Sequence, residues 1–468
     1  MARYAYERLS DRSAEALRRE GARVFAHAAS MQLFELGPLA NEFGGVDFEA
    51  VRAAIGSRLH LVPRLRQKLR LIPIERYPVW VDDADFNLGY HLRHTSLPRP
   101  GRFSQLESMA ARIMAQRLDR SRPLWEAWVV EGLEGGRFAL LLKTHHCMVE
   151  DEAADLLQVL LSPDPEAPNP AAPPFEPRPQ PSARELVEEE VLRQARLPRR
   201  VVERLRAAQR EPERLRHELL QRAREAAEAL GYAFRPPVAT PLNGRVGPHR
   251  RFRGVAFDLA AARAIRQATR TTLHDIILAV VAGAVRRFLE ERLVSPAALD
   301  FRVSTPVGRA RRAEGGRVTE WVVDLPVWEK DPLLRLERIR KLTRKLAGSS
   351  RAIRAADLMG EGGWFGTRLL ALGARALASH TPVNMTVTNA PGSQVPLYFA
   401  GARMLETWGV APLREDLGLS VAVMSYDGRL FFGLNADFDL LPDVDRFASG
   451  LTASFSELER NALPGGHG

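Results

Sequence analysis

Nine prolines fall between Ser162 and Pro181, at positions 163, 165, 168, 170, 173, 174, 177, 179 and 181. Each proline lacks a backbone N–H and fixes φ, so neither a helix nor a central strand runs through such a stretch. It reads as a semi-rigid, extended linker that divides the chain. At 468 residues the chain also exceeds what one hydrophobic core usually supports, so two domains are expected. The expected boundaries are a first domain over 1–161, the proline-rich linker over 162–183, an Arg/Glu-rich helical connector over 184–239, and a second domain over 240–468.

In the first part, Met31–Leu36 and Pro78–Val81 read as extended segments, and Asp47 is placed to cap a helix through Phe48, Val51, Ile55 and Leu59. Ser104 and Glu107 have the spacing of a capping box. Trp125–Val130 and Phe138–Leu142 read as strands joined through Gly135-Gly136. In the second part, Arg251–Phe257, Phe301–Val307 and Asn384–Thr388 read as strands, and Thr272 with Asp275 forms a second capping box for a helix through Leu289. Leu419–Ser425 and Leu430–Leu434 flank Asp427-Gly428, which supplies the positive φ of a tight hairpin turn. Strands and helices mix in both parts, so the fold class is α/β, with α+β mixed sheets.

The net charge of +10 comes from 62 Arg and 5 Lys against 57 acids. Such a surface attracts nucleic acid, anionic lipid or phosphorylated ligands, and charge alone does not choose. No zinc-finger spacing or aromatic RNA-binding motif accompanies it, so nucleic acid is not an expected partner. The Arg/Glu-rich segment from Arg184 to Leu230 reads either as helices packed on the protein or as a basic face touching membrane or a lipid droplet. The single cysteine, Cys147, leaves no internal disulfide and no Cys-rich metal site. No apolar leader follows the start, and Ile276–Val285 is far short of the roughly 20 residues of a spanning helix. A cytoplasmic protein is expected.

The chemistry-bearing stretch is Thr144-His145-His146-Cys147-Met148-Val149-Glu150-Asp151. It follows the apolar strand Phe138–Leu142 and leads into the helical pattern of Ala153–Leu161, so two histidines and two acids are held at a strand-to-helix turn. A neutral imidazole there suits proton abstraction from an alcohol. No Gly-x-Ser-x-Gly elbow occurs, and Cys147 reads as a packing residue. Adjacent histidines rarely face one ion and the spacing is not His-Glu-x-x-His, so no metal is expected.

The same stretch resembles the His-His-x-x-x-Asp-Gly motif of the bacterial wax ester synthase/acyl-CoA:diacylglycerol acyltransferase family, within the chloramphenicol-acetyltransferase-like superfamily. Further blocks are similar in order: Pro123-Leu124-Trp125, Leu242-Asn243-Gly244, His274-Asp275 where the family carries Asn-Asp, and Asn389-Ala390-Pro391-Gly392. The resemblance implies two acetyltransferase-like domains with a tunnel between them. It implies acyl-CoA as a substrate rather than a cofactor, a lipid alcohol (diacylglycerol or a fatty alcohol) as acceptor, and possible peripheral contact with membrane or lipid droplet. It implies His146 as general base, His145 as a structural partner, and Pro123, Leu124, Trp125, His274, Asp275, Asn389, Pro391 and Gly392 as tunnel or structural positions. Glu150 and Asp151 stand where the family has Asp and Gly. Glu150 keeps the loop-supporting charge, whereas Asp151 adds a Cβ and a negative charge where glycine allows close approach. The alternative is therefore an acyl-CoA- or lipid-binding homologue of the same fold with impaired turnover.

Overall fold

A computed structural model describes residues 5–149, 156–193, 238–297, 299–307, 319–349 and 383–463. Glu150 and Asp151 lie outside the described residues, as does the connector beyond 193. Two six-stranded sheets organise the chain, in the expected mixed α/β class.

The first sheet is built on β2 (His27–Glu35), β5 (Leu92–Ser96), β6 (Trp125–Leu133) and β7 (Arg137–His145). Its central strand, β7, is antiparallel to both β2 and β6, and Phe138, Ala139, Leu140 and Leu141 are fully buried. A continuous apolar run is what a strand covered on both faces requires. Gly135 and Gly136, at φ of 78° and 63°, turn the chain between β6 and β7. The far edge of this sheet is supplied by the C-terminal part: β12 (Tyr398–Phe399) pairs with β13 (Ala402–Val410), and β13 pairs with β2. A small sheet of β1 (Glu7–Arg8), β3 (Gln67–Leu71) and β4 (Pro78–Asp82) lies apart from it. Residues 183–193 are helical, and Leu186 packs there on Ile72, Val79 and Val81.

The second sheet runs in the order β10 (Thr319–Leu325), β9 (Phe301–Val307), β11 (Met385–Ala390), β14 (Leu419–Tyr426), β15 (Arg429–Asp437), β8 (Arg250–Asp258). The β14–β15 hairpin turns at Asp427 and Gly428 with φ of 41° and 78°, as Asp-Gly predicts. Of the helices α1 (Asp11–Arg19), α2 (Phe48–Gly56), α3 (Leu88–His91), α4 (Phe103–Met114), α5 (His146–Val149), α6 (Leu156–Leu160), α7 (Leu259–Thr269), α8 (Leu273–Glu291), α9 (Pro332–Ser349) and α10 (Val444–Ala462), α8 is apolar on nearly every side. That pattern fits its position among α7, α9 and α10. Thr272 and Asp275 close the expected capping box at its start: Asp275 N–H donates to Thr272 Oγ1 at 3.1 Å, and Thr272 N–H to Asp275 Oδ2 at 2.8 Å. Asp47 caps α2, accepting from Ala50 N–H at 3.0 Å. No described helix is long and apolar enough to cross a membrane.

The capping box expected from Ser104 and Glu107 does not form. The helix starts at Phe103, and Gln105 rather than Glu107 accepts from the Arg102 N–H, at 2.7 Å. Glu107 instead turns inward, 3% exposed, and accepts from Arg253 Nη1 at 2.5 Å and from Gly254 N–H at 2.7 Å. Two donors from β8 offer a carboxylate more than an exposed cap does. The contact thus ties α4, which packs with the first sheet's core, to the edge strand of the second sheet. Burial outweighs these donors and pushes the Glu107 carboxyl up to about 7.

A carboxyl raised on folding stabilises the protein fully below about pH 4.5, and the contribution fades as pH rises through about 7. Between those limits the native state binds the extra proton. We expect the melting temperature to fall between pH 5 and pH 8. Glu107→Gln should flatten that slope, and an unchanged slope in the variant would assign it to another group.

Candidate active site

The apolar core of β7 carries the chain out to His145, and α5 begins at His146, so the expected strand-to-helix junction is present. Both backbone N–H groups at the junction are held. His145 N–H donates to Leu124 O at 2.9 Å, and His146 N–H to Ala26 O at 2.7 Å. One strand neighbour on each side therefore fixes where the two rings leave the backbone.

The rings have different surroundings. His145 is 1% exposed, and its Nδ1 accepts from Cys147 N–H at 3.1 Å. That leaves the proton of the neutral ring on Nε2, which lies 3.1 Å from Glu20 Oε1. His146 is partly exposed, with its Nδ1 buried. Cys147 is fully buried, in agreement with a packing role, and Ser13 Oγ donates to its carbonyl at 3.3 Å.

Glu20 follows α1 and was not legible as a site residue. Its side chain is 2% exposed, and it accepts from Ala26 N–H at 3.0 Å and from Arg120 Nη2 at 2.7 Å. Burial alone would raise its carboxyl, but the contacts with His145 and Arg120 prevail and hold it down at about 2. Helix α1 thus supplies two groups to the junction, Ser13 to the Cys147 carbonyl and Glu20 to the His145 ring. His27 pairs in register with His145, with its Nε2 3.5 Å from Glu20 Oε1. Burial, reinforced by the Lys143 ammonium, drives His27 down to about 2 and keeps it neutral. Lys143 is fully buried, lowered by burial to about 8, and donates from Nζ to Ile113 O at 2.9 Å and Gln116 O at 2.5 Å, beyond the end of α4.

The remaining expected positions divide between the two sheets. Leu124 accepts the His145 N–H, and Trp125, 1% exposed, donates from Nε1 to Leu65 O at 2.8 Å, so Pro123-Leu124-Trp125 braces the junction directly. His91 stacks on Trp125 with ring centroids 4.7 Å apart. His274 and Asp275 start α8. Burial lowers His274, which meets Trp321 edge-on, and Asp275 accepts from Thr343 Oγ1 at 2.7 Å in addition to its capping bonds. Asn389 is the penultimate residue of β11, and Pro391 and Gly392 follow the strand's last residue, Ala390. Gly392 N–H donates to Ser425 Oγ at 3.1 Å, and a Cβ at 392 would sit 2.2 Å from Ser425 O, so glycine is required for that approach. Among the described residues, no group of three His, Cys, Asp or Glu side chains is arranged to hold a metal ion.

Residues 9–277 match the wax ester synthase/diacylglycerol acyltransferase catalytic domain, and residues 315–459 match the WS/DGAT C-terminal domain. The chain belongs to this family. It is an acyltransferase of the WS/DGAT type. A probable diacylglycerol O-acyltransferase of Mycobacterium tuberculosis is 32% identical over 436 residues, covering 88% of each chain. A putative diacylglycerol O-acyltransferase of Mycobacterium bovis is 33% identical over 386 residues, covering 80% of this chain and 83% of the relative. The solved wax ester synthase/diacylglycerol acyltransferase of Marinobacter aquaeolei superimposes with a TM-score of 0.68 at 24% identity, over 97% of this chain and 99% of that one. The starter condensation domain of rhizomide synthetase superimposes at 0.59 with 14% identity, over 98% of this chain and 94% of that one. Those two likenesses establish the shared acetyltransferase-like fold of WS/DGAT proteins and condensation domains.

Proposed function

We propose that the protein moves a long acyl chain from acyl-CoA to diacylglycerol, a fatty alcohol, or both, with His146 as the general base. The observation that carries this reading is the asymmetry of the histidine pair: His145 is buried 3.1 Å from Glu20 while His146 stays partly exposed at the same junction. The acceptor hydroxyl gives its proton to His146 as its oxygen attacks the thioester carbonyl. The tetrahedral oxyanion then expels the CoA sulfur, which takes the proton back from His146. No covalent enzyme intermediate is needed, since a thioester is already activated and positioning with one base suffices. Acyl-CoA and the acceptor reach the junction from opposite sides of a tunnel between the two sheet-centred halves. Glu150 and Asp151 follow the junction in sequence. The reading places the protein in the cytoplasm, in peripheral contact with lipid.

The test is CoA release from palmitoyl-CoA by the purified protein, with dioleoylglycerol, hexadecanol or neither as acceptor, and chromatography of the lipid product. We expect thiol release that depends on the acceptor and yields triacylglycerol or wax ester. Asp151, standing where the family carries glycine, favours one second reading, a lipid-binding homologue without turnover. Calorimetric binding of palmitoyl-CoA without acceptor-dependent release from either alcohol would establish that reading and reject the first.

A further inference from the structure

Helix α9 has two faces of opposite character. Leu336, Ile339 and Thr343 point inward, at 1%, 0% and 7% exposure, and hold the helix against α8, α10 and β10. The opposite row, at helical spacing, is Leu334, Arg338, Lys341 and Lys345, with Arg344 beside it, all exposed. At the N-terminal end this row meets exposed Leu333 and Trp328, and the Arg338 guanidinium stacks 4.6 Å from the Trp328 ring centre. The Trp328 carbonyl is pinned by Arg286 Nη1 at 2.8 Å, so the ring stands on a rigid base. Glu329 pairs with Arg338 at 3.1 Å, and Glu337 pairs with both Arg340 at 3.1 Å and Lys341 at 3.6 Å, so two acids stand against Arg338, Arg340, Lys341, Arg344 and Lys345 and this side of the helix keeps a surplus of cations.

We propose that this face of α9 seats the protein on an anionic phospholipid surface. Leu333, Leu334 and Trp328 enter the headgroup layer, and Arg338, Lys341, Arg344 and Lys345 lie over lipid phosphates. A basic row ending in exposed leucine and tryptophan is the arrangement that lies in a membrane interface, where an aromatic ring with a polar edge is favoured and cations are drawn to acidic headgroups. Nucleic acid would use the cations and leave the leucines without a partner. The inference extends the proposed function by giving the lipid acceptor a point of delivery. Vesicle binding is read without turnover, so it stands or fails separately from the CoA-release assay.

The experiment is cosedimentation of the full-length protein with vesicles of phosphatidylglycerol and phosphatidylcholine in equal parts, and with phosphatidylcholine alone. We expect binding to the anionic vesicles only, weakened by salt. Lys341→Gln with Lys345→Gln should weaken it about 25-fold, roughly fivefold per cation removed. Leu333→Ser with Leu334→Ser should weaken it roughly tenfold or more. These side chains are exposed, so both variants should retain acyl transfer to an acceptor dispersed in detergent. Absence of wild-type binding, or unchanged binding by both variants, overturns the proposal. Tight binding to a DNA or RNA oligomer that ignores the leucine changes, without vesicle binding, assigns the face to nucleic acid instead.

Discussion

His146→Ala is expected to lower kcat for acyl transfer by about 10²–10⁴-fold, the usual contribution of a positioned general base. The loss should fall on kcat, with the KM for acyl-CoA nearly unchanged, because the imidazole acts on the acceptor proton as the transition state forms. The fold should survive. The one described backbone bond of His146, from its N–H to Ala26 O, is available to alanine, and the side chain is only half-buried. His145→Ala is the informative contrast. Its ring is 1% exposed and fills the space between Cys147 N–H and Glu20, so its removal opens a buried void and takes the Nδ1 acceptor from the Cys147 N–H. We therefore expect His145→Ala to melt below wild type and His146→Ala to melt with it, while both lose turnover. The measurement is thiol release with acceptor present, alongside thermal unfolding of the three proteins. Wild-type rates from His146→Ala would remove it as the base.

What the sequence made legible is local. The Asp427-Gly428 turn, the Thr272/Asp275 box and the strand-to-helix junction at His145-His146 each depend on neighbours within a few residues, where spacing carries the information. The strand expected over Met31–Leu36 shows the limit. It begins earlier, at His27, because β7 continues to His145 and gives those residues a partner in register. Glu107 shows the limit more sharply. Ser104 and Glu107 have capping-box spacing, but donors from Arg253 and Gly254, some 146 residues on, outcompete the helix terminus. The pairing of β13 with β2 is of the same kind, since the alternating pattern of a strand does not name its partner. At the site, the His-His pair and Leu124-Trp125 were readable from order and resemblance. Glu20 was not, because a lone glutamate after a short amphipathic helix carries no pattern until the chain returns to it at His145 and Arg120.

That same glutamate gives the other large effect. Removing the carboxylate with Glu20→Ala leaves the part-buried Ala26 N–H without its side-chain acceptor, a loss of about 1–3 kcal/mol, and takes away the charge 3.1 Å from His145 Nε2. Arg120 adds less, since at 39% exposure its guanidinium turns to water. The pH dependence follows from the depressed carboxyl. A group held at about 2 when folded, against 4.5 when unfolded, contributes its stabilisation in full above about pH 4.5 and loses it as pH falls through about 2, a span of about 3 kcal/mol. Glu20→Ala should accordingly lower the urea midpoint at pH 7, with the gap to wild type closing toward pH 3. Catalysis should suffer separately. With no carboxylate to fix its Nε2 proton, the His145 ring can change tautomer, release the Cys147 N–H and shift the backbone that aims His146. A misplacement of that size costs on the order of 10²-fold in kcat. Because the change acts on aim rather than on ligand binding, KM for acyl-CoA should stay near wild type. Glu20→Asp, which keeps the charge on a shorter arm, should recover part of the rate. A Glu20→Ala protein that matches wild type in both urea midpoint and kcat would show that the junction holds its geometry without this carboxylate.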